Sequence, residues 1–327
     1  MANVSSFVGI DVSKLSFTAS YRKENRVVTR DWEYTLDGLE SFLKSLPQNT
    51  KCVMEATGVY HTKLAFFLFE NNVFVSVVNP LSIKNYARMQ MKRTKTDKSD
   101  SKLLLDYAEL MNTNLAQWSP KVDYCVEIKQ LYSMLESKNA QLTRVKNKLE
   151  ALTHSKQQSS FCIKMCIEDI KHLEVEISSI EEEIERIVKE HAKKDFDILT
   201  SIPGIGKKTA CLFIAMTDSV KRFDNYKQVI SYFGMSPRTY DSGTSVHSKA
   251  KICKVGLSTI RKNMYLCGLS ARKYNKSCKD LYDRLVEKGK AKKLAIIAVA
   301  NKIIKQAFAL IKKQVFYDEN FSSSLAF

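Results

Sequence analysis

Phe7-Val8-Gly9-Ile10-Asp11-Val12 and, after Ser13-Lys14, Leu15-Ser16-Phe17-Thr18-Ala19-Ser20-Tyr21 decide the fold of the first third of the chain. Both are short runs rich in apolar and β-branched residues, the composition of strands, and the brief polar break between them suits a hairpin. A third run around Val27 to Tyr34 makes an antiparallel meander the simplest reading. The pattern then changes period. A helical stretch covers Leu36 to Leu46, a short strand Cys52 to Glu55, a helix Tyr60 to Asn71 and a strong strand Val73 to Val78. A helix from about Asp97 to Met111 closes this domain.

Three hairpin-like strands followed by alternating helices and parallel strands match the element order of an RNase H-like fold. In that order Asp11 and Glu55 end two strands, and Asp97 and Asp100 begin a helix. From each position a side chain can leave the scaffold and point into a shared cleft. Asp97 and Asp100 are three apart and share a helical face, whereas Asp106 is turned away from them. Converging carboxylates repel one another. Divalent cations relieve the repulsion, and Mg²⁺ prefers oxygen ligands with positions left open for phosphate. Two such ions about 3.5–4 Å apart suit phosphoryl transfer on nucleic acid. The basic flank Lys92-Arg93-Thr94-Lys95-Thr96 would hold phosphates beside them, with Arg93 and Lys95 as contacts. The plainer alternative is that some of these acids are surface groups or caps, Asp97 standing where an N-cap belongs.

From Ile128 to Leu152, apolar residues recur at alternating spacings of three and four, interrupted at Lys138. After the polar break Gln157-Gln158-Ser159-Ser160 a second seam runs from Cys166 to Ile187. Two long helices are predicted, free by periodicity to pair with each other or with another protomer, and read as a spacer and oligomerisation arm. Beyond them Ile202-Pro203-Gly204-Ile205-Gly206-Lys207-Lys208 resembles a helix-hairpin-helix turn, which grips DNA phosphates through outward backbone N–H groups. Gly204, Gly206, Lys207 and Lys208 are its candidate contacts, and an ordinary helix–helix turn is the alternative.

Charge points the same way. The chain of 327 residues carries 52 Lys+Arg against 35 Asp+Glu, a formal charge of +17. From Val246 to Lys313 there are eighteen cations and three acids, so nearly all the excess is C-terminal and would attract a polyanion. No apolar run approaches the ~20 residues of a membrane span, and Leu294 to Ala300 reads as part of a buried helix. Scattered cysteines and an N-terminus without signal-peptide character predict a soluble protein of the reducing cytoplasm, nucleoid-associated in action.

The segment Tyr232-Phe233-Gly234-Met235-Ser236-Pro237-Arg238-Thr239-Tyr240-Asp241-Ser242-Gly243-Thr244 precedes Lys249, Lys251, Lys254 and Arg261. A serine beside glycine with cations following could attack a phosphodiester and conserve its energy as a phosphoserine ester. Taken alone, Ser-Gly is more often a turn.

With these motifs in hand, the chain resembles the DEDD-type insertion-sequence transposases that also include the Piv invertases. Gly9-Ile10-Asp11-Val12-Ser13-Lys14, Met54-Glu55-Ala56-Thr57-Gly58-Val59-Tyr60, Lys95-Thr96-Asp97-Lys98-Ser99-Asp100, Ile202-Pro203-Gly204-Ile205-Gly206 and Ser242-Gly243 occur in that family's order. The resemblance implies an RuvC-like metal-dependent catalytic domain over residues 1–120 and a coiled-coil arm over 121–193. It implies a basic, mainly α-helical transposase domain over 194–327. Asp11, Glu55, Asp97 and Asp100 would be the acidic tetrad on two Mg²⁺ ions, and Ser242 the nucleophile, with Ser245 and Ser248 near enough to compete. DNA strand cleavage and transfer, donor and target DNA, a guide RNA and a dimer or tetramer are further implications. Ser101 departs from the family, in which alanine more often follows the last acid.

Two other readings stay open: an RuvC-like nuclease using activated water and no serine, and a non-enzymatic DNA-bridging protein. Actin-like sugar kinases share the first hairpin, but ten glycines leave little for a second phosphate-binding lobe. Cys162, Cys166 and His172 make only a partial zinc pattern. Tyr265, Tyr274 and Tyr282 alternate with cations, where helix packing competes with base stacking.

Overall fold

Val8, Ile10 and Val12 alternate with Gly9 and Asp11, and that period of two sends the first set to one layer of helices and the second to another. In the computed structural model, which describes residues 6–24, 26–92, 96–120, 122–238, 241–242, 246–247 and 251–319, the chain divides into two compact units after Pro120. In the first, β1 (Phe7–Val12), β2 (Ser16–Lys23) and β3 (Arg26–Glu33) form the antiparallel meander. Strands β4 (Lys51–Glu55) and β5 (Phe74–Val78) add in parallel beyond β1, giving the order β3-β2-β1-β4-β5.

Helices α1 (Leu36–Ser45) and α2 (Tyr60–Glu70) cover one face, burying Leu39, Phe42, Leu64 and Leu68 against Val8 and Ile10. The other face carries α3 (Pro80–Met89) and α4 (Asp97–Leu110), whose Ile83, Tyr86, Leu103 and Leu104 pack with Val53. Our reading of the sequence assigns no element to α3. The signal was present: Asn79 caps the Leu81 N–H, and Pro80 at the first helical position has no N–H to satisfy.

Helix α4 lies directly on β1. A Cβ at Gly9 would stand 2.2 Å from Leu105 N and 2.3 Å from Ser101 O, so only glycine admits this approach. Beside it the buried Ser101 hydroxyl meets Ser20 Oγ at 2.8 Å, and Ser20 Oγ in turn meets Thr29 Oγ1 at 2.8 Å. The departure from alanine at Ser101 is therefore matched by a polar partner on β2. Ser101→Ala is expected to cost about 1 kcal/mol in urea unfolding, because Ser20 keeps Thr29; a loss beyond about 3 kcal/mol would mean that the pair organises more than its own contact.

The direction of α4 follows from its far end. Arg22, level with the start of β1, binds Glu109 at 2.7 and 3.0 Å, and Lys51, opening β4, donates to Asn112 Oδ1 at 2.9 Å. Helix α4 thus runs against β1 and β4, and its first turn lies at their C-terminal ends.

The second unit opens with the long helices α5 (Asp123–Thr153) and α6 (Ser160–Thr200). They pair with each other: Lys138 meets Glu176 at 2.7 Å and Lys146 meets Glu174 at 2.8 Å. The cation that interrupts the seam is thereby accommodated across the helix pair. Ser159 in the polar break caps α6 through the Cys162 N–H. A non-helical residue, Ala192, kinks α6 next to the boundary expected at 193/194, yet the core runs through it. Ile128 and Ile184 belong to the same apolar cluster as Leu199, Phe213, Ile260 and Ile303.

That cluster is completed by α7 (Lys207–Thr217), α8 (Tyr226–Tyr232), α9 (Ser258–Tyr274), α10 (Lys276–Glu287) and α11 (Lys292–Lys313). Between α8 and α9 run four two-residue strands, β6 (Pro237–Arg238), β7 (Asp241–Ser242), β8 (Val246–His247) and β9 (Lys251–Ile252). By length and composition α11 could span a membrane, but half of its most apolar window is buried within the unit, as a core helix requires.

Candidate functional site

One residue past the register pair Ile10↔Met54, Asp11 and Glu55 stand side by side on neighbouring parallel strands, about one strand spacing (~4.8 Å) apart. Both share the face of Gly9 and Val53, the face that α4 covers. The turn after β4 fixes Glu55: Thr57 N–H donates to its carbonyl at 2.8 Å, and Gly58 takes the left-handed φ of +51° that the turn needs. Tyr34 holds the next element, its hydroxyl donating to Tyr60 O at 2.5 Å and accepting from Leu64 N–H at 2.9 Å.

Asp97 and Asp100 occupy the first turn of α4, at the same end of the sheet. Thr96, not Asp97, is the N-cap: its hydroxyl accepts from Ser99 N–H at 3.1 Å, and Ser99 Oγ accepts from Thr96 N–H at 2.8 Å. The exposed Asp97 carboxylate is not consumed by capping and makes no hydrogen bond or ion pair among the described residues. Asp100 is half-buried and accepts from Ser99 Oγ at 3.3 Å. Asp106 is turned away, paired with Arg22 at 3.6 Å and Lys92 at 3.5 Å. Lys92, the first cation of the basic flank, is thus engaged on α4, while Arg93 and Lys95 lie outside the described residues.

The structure brings Asp11 next to Glu55 and sets Asp97 and Asp100 at the same end and face. It does not close them into a cluster: among the described residues no three His, Cys, Asp or Glu side chains stand close enough to hold one ion. The donor set, four carboxylates and no sulfur or imidazole, nevertheless suits a hard divalent cation rather than zinc. Sequence reasoning missed a neighbour. Opposite Asp11 on β2 is the buried Thr18, whose hydroxyl donates to Asp31 at 2.7 Å, so a fifth carboxylate lies in the same cross-strand row. Counting by twos along the meander would have found it.

At the hairpin-like turn the two glycines do different work. Gly204, at φ +112°, faces inward, and a Cβ there would lie 2.6 Å from the Ala271 Cβ on α9. Gly206 is the N-cap of α7 with nothing within 4 Å of a Cβ. Lys207 and Lys208 are paired with α6: Lys207 meets Glu185 at 3.1 Å and Lys208 meets Glu181 at 2.5 Å. Lys189 holds the Glu185 carboxyl below its ordinary range, and Lys207 adds to the effect. Glu181 and Glu185 of α6 thus neutralise the turn's own cations.

In the serine-bearing segment the described residues form two short antiparallel pairings of a ribbon: Pro237 and Arg238 pair with Ile252 and Lys251, and Asp241 and Ser242 with His247 and Val246. Ser242 thus has its backbone in β7, and its side chain lies outside what is described, as do Gly243, Ser245, Ser248 and Lys249. Lys251 and Lys254 are exposed near the base. Arg261 is half-buried and donates to Phe233 O at 3.0 Å.

Among the described residues no cation from Arg222 to Lys312 makes an ion pair, so the lysines and arginines of α9 and α10, and those of α11 up to Lys312, have no salt-bridge partner there. Of the three tyrosines, Tyr282 packs, its hydroxyl taking a hydrogen bond from Arg272 at 3.1 Å, Tyr265 is half-buried, and Tyr274 is 69% exposed. Cys166 is buried, Cys162 is exposed, and His172 faces Glu176 at 3.6 Å. Burial pushes the Cys211 thiol up to about 12 and Cys278 up to about 11, which makes both poor nucleophiles.

Comparison with known proteins agrees with the motif order. Residues 8–155 match a transposase family model, and residues 196–283 match the model of the transposase IS116/IS110/IS902 family. Pilin gene-inverting proteins of Moraxella lacunata and Moraxella bovis are each 30% identical over 324 residues, covering 96% of this chain and 98% of theirs. A 43.6 kDa protein of insertion element IS110 from Streptomyces coelicolor is 26% identical over 140 residues, 43% of this chain and 34% of its own.

Proposed function

The chain belongs to the IS110/IS116 transposase family, a DNA recombinase family, and from that premise we propose that it cleaves and rejoins DNA strands through a serine–DNA covalent intermediate at a metal-assisted site. The observation that carries this reading is the gathering of Asp11 and Glu55 with the first turn of α4 at one end and face of the sheet. The strand order β3-β2-β1-β4-β5, antiparallel then parallel, supports reading this unit as RNase H-like, or RuvC-like. Asp11, Glu55, Asp97 and Asp100 would hold Mg²⁺, two ions in our reading. When bound it neutralises phosphate charge and lowers the cost of a developing oxyanion.

The chain's own part is nucleophile and grip. Ser242 Oγ forms a bond to the phosphorus of the scissile phosphodiester, the bond from phosphorus to one deoxyribose oxygen breaks, and that oxygen leaves as a hydroxyl carrying the proton the serine gives up. Reversal with a hydroxyl from another strand releases the serine and joins exchanged ends, with no outside energy source. The name of the Moraxella relatives, pilin gene inversion, suggests rearrangement of a DNA segment as the outcome here. We assign the cations of α9 and α10, and those of α11 up to Lys312, to DNA phosphates, and a guide RNA as the partner that selects the sites. A dimer or tetramer joined through a coiled-coil arm is supported by apolar residues left outward in the first half of α6, among them Phe161 at 70% exposure and Val175 at 66%.

The test is purified protein with its own element-junction DNA, associated RNA and Mg²⁺, analysed by denaturing electrophoresis. A covalent protein–DNA band that vanishes in Ser242→Ala is expected. Cleaved DNA with no band, unaffected by Ser242→Ala, would replace this reading with a hydrolytic nuclease.

A second expectation concerns the hairpin turn. Replacing Glu181 and Glu185 by Gln together frees Lys207 and Lys208 for phosphate. Affinity for non-specific duplex is expected to rise roughly tenfold at low salt, with the slope of log affinity against log salt steeper by up to about two. An unchanged slope would mean that these lysines meet no phosphate.

A further inference from the structure

The segment carrying Ser242 leaves the second unit through a base built from Phe233 to Ser236 and Cys253 to Gly256. Its entry and exit cross at two glycines. Gly234, at φ +70°, has room for no Cβ, which would fall 2.7 Å from Val255 O and 2.6 Å from Arg261 Nη1. Gly256, at φ +139°, would place one 2.4 Å from Tyr232 O and 2.8 Å from Gly234 N. The same crossing is tied by Lys254 N–H donating to Gly234 O at 3.0 Å and Cys253 N–H donating to Ser236 O at 2.9 Å.

Two helices of the core then grip it. Arg261 of α9 donates to Phe233 O at 3.0 Å, and Asn301 of α11 donates to Met235 O at 3.4 Å. Phe233 and Met235 are buried, so the carbonyls they offer belong to fixed backbone. Beyond this point the ribbon continues in strands of two residues, too short to set their own direction.

We infer that Arg261, Gly234 and Gly256 form a lock that sets the angle at which the ribbon departs, making Arg261 a positioning residue for Ser242 and not a phosphate contact. The inference rests on Ser242 as nucleophile. An attacking oxygen misplaced by about 1 Å loses roughly a hundredfold in rate while binding elsewhere is unaffected. Charge alone would not serve this purpose, since the bond goes to a neutral carbonyl and depends on where the guanidinium nitrogen stands.

Three variants, Arg261→Ala, Arg261→Lys and Gly256→Ala, separate the possibilities in the full-length protein with junction DNA, RNA and Mg²⁺. At saturating DNA, covalent adduct formation is expected to fall about 100-fold in Arg261→Ala and Gly256→Ala and about tenfold in Arg261→Lys. Affinity should stay within about twofold and the salt slope unchanged, whereas a lost phosphate contact would lower the slope by about 0.9. Added guanidinium, against NaCl at equal ionic strength, should restore part of the rate in Arg261→Ala and none in Gly256→Ala. If Arg261→Ala lowers affinity and slope but forms adduct normally once bound, Arg261 is a phosphate contact and the lock is wrong. Should Gly256→Ala fail to fold, the two Arg261 variants and the rescue decide alone. A wild-type protein with no Ser242-dependent adduct overturns the nucleophile reading and the lock with it; a normal adduct in all three variants overturns the lock only.

Discussion

Gly9→Ala is expected to reduce recombination about 100-fold or more while leaving DNA binding by the second unit unchanged. The added methyl group would lie 2.2 Å from Leu105 N and 2.3 Å from Ser101 O, both backbone atoms of α4. No rotamer change can relieve such a contact, so the helix has to shift by about 1 Å, and overpacking of this kind costs about 1–3 kcal/mol. Asp97 and Asp100 sit four residues and one residue before Ser101 on the same helix and move with it, whereas Asp11 and Glu55 stay on the sheet. The expected signature is a modest fall in melting temperature with a much larger fall in joined product from a junction plasmid. Full activity in Gly9→Ala would show that the seating of α4 on β1 does not matter to the chemistry.

Asp97→Asn is expected to lower recombination by at least about 10³-fold with almost no effect on stability. Asn keeps the shape and removes the charge. The cap belongs to Thr96, so the helix start survives, and the exposed carboxylate contributes only its favourable interaction with the helix dipole, about 0.3–1 kcal/mol. Asp106→Asn, on the same helix but paired with Arg22 and Lys92, is the matching control and should retain activity. Recombination, DNA affinity and melting temperature measured together decide the matter. Equal loss in both variants would point to α4 stability; no loss in Asp97→Asn would leave Asp97 as a helix-dipole residue and remove it from the metal set.

The sequence carried the elements whose periods are local. Alternation in Phe7–Val12 and the runs after it gave the meander, and the change to a period near 3.6 gave α1, α2 and α4 nearly to the residue. The heptad seams gave α5 and α6, since a stripe of apolar side chains is a property of one helix. The places of Asp11 and Glu55 at strand ends and of Asp97 and Asp100 at a helix start were legible in the same way, and membership of the transposase family follows from motifs that sit within short spans.

What depends on atoms distant in the chain was decided only by folding. No local pattern distinguishes Gly204, packed on Ala271, from Gly206, open at a helix start, because the difference lies in α9, more than sixty residues on. The Lys207 and Lys208 ammonium groups read as free until α6 brings Glu185 and Glu181 to them, and Arg261 reads as a free cation until Phe233 O is found beside it. The two seams were equally compatible with self-pairing and with pairing between chains; the Lys138–Glu176 contact is what selects the hairpin within one chain. A charge or a glycine in a sequence has many possible partners, and the partner it meets, not its type, fixes what it does.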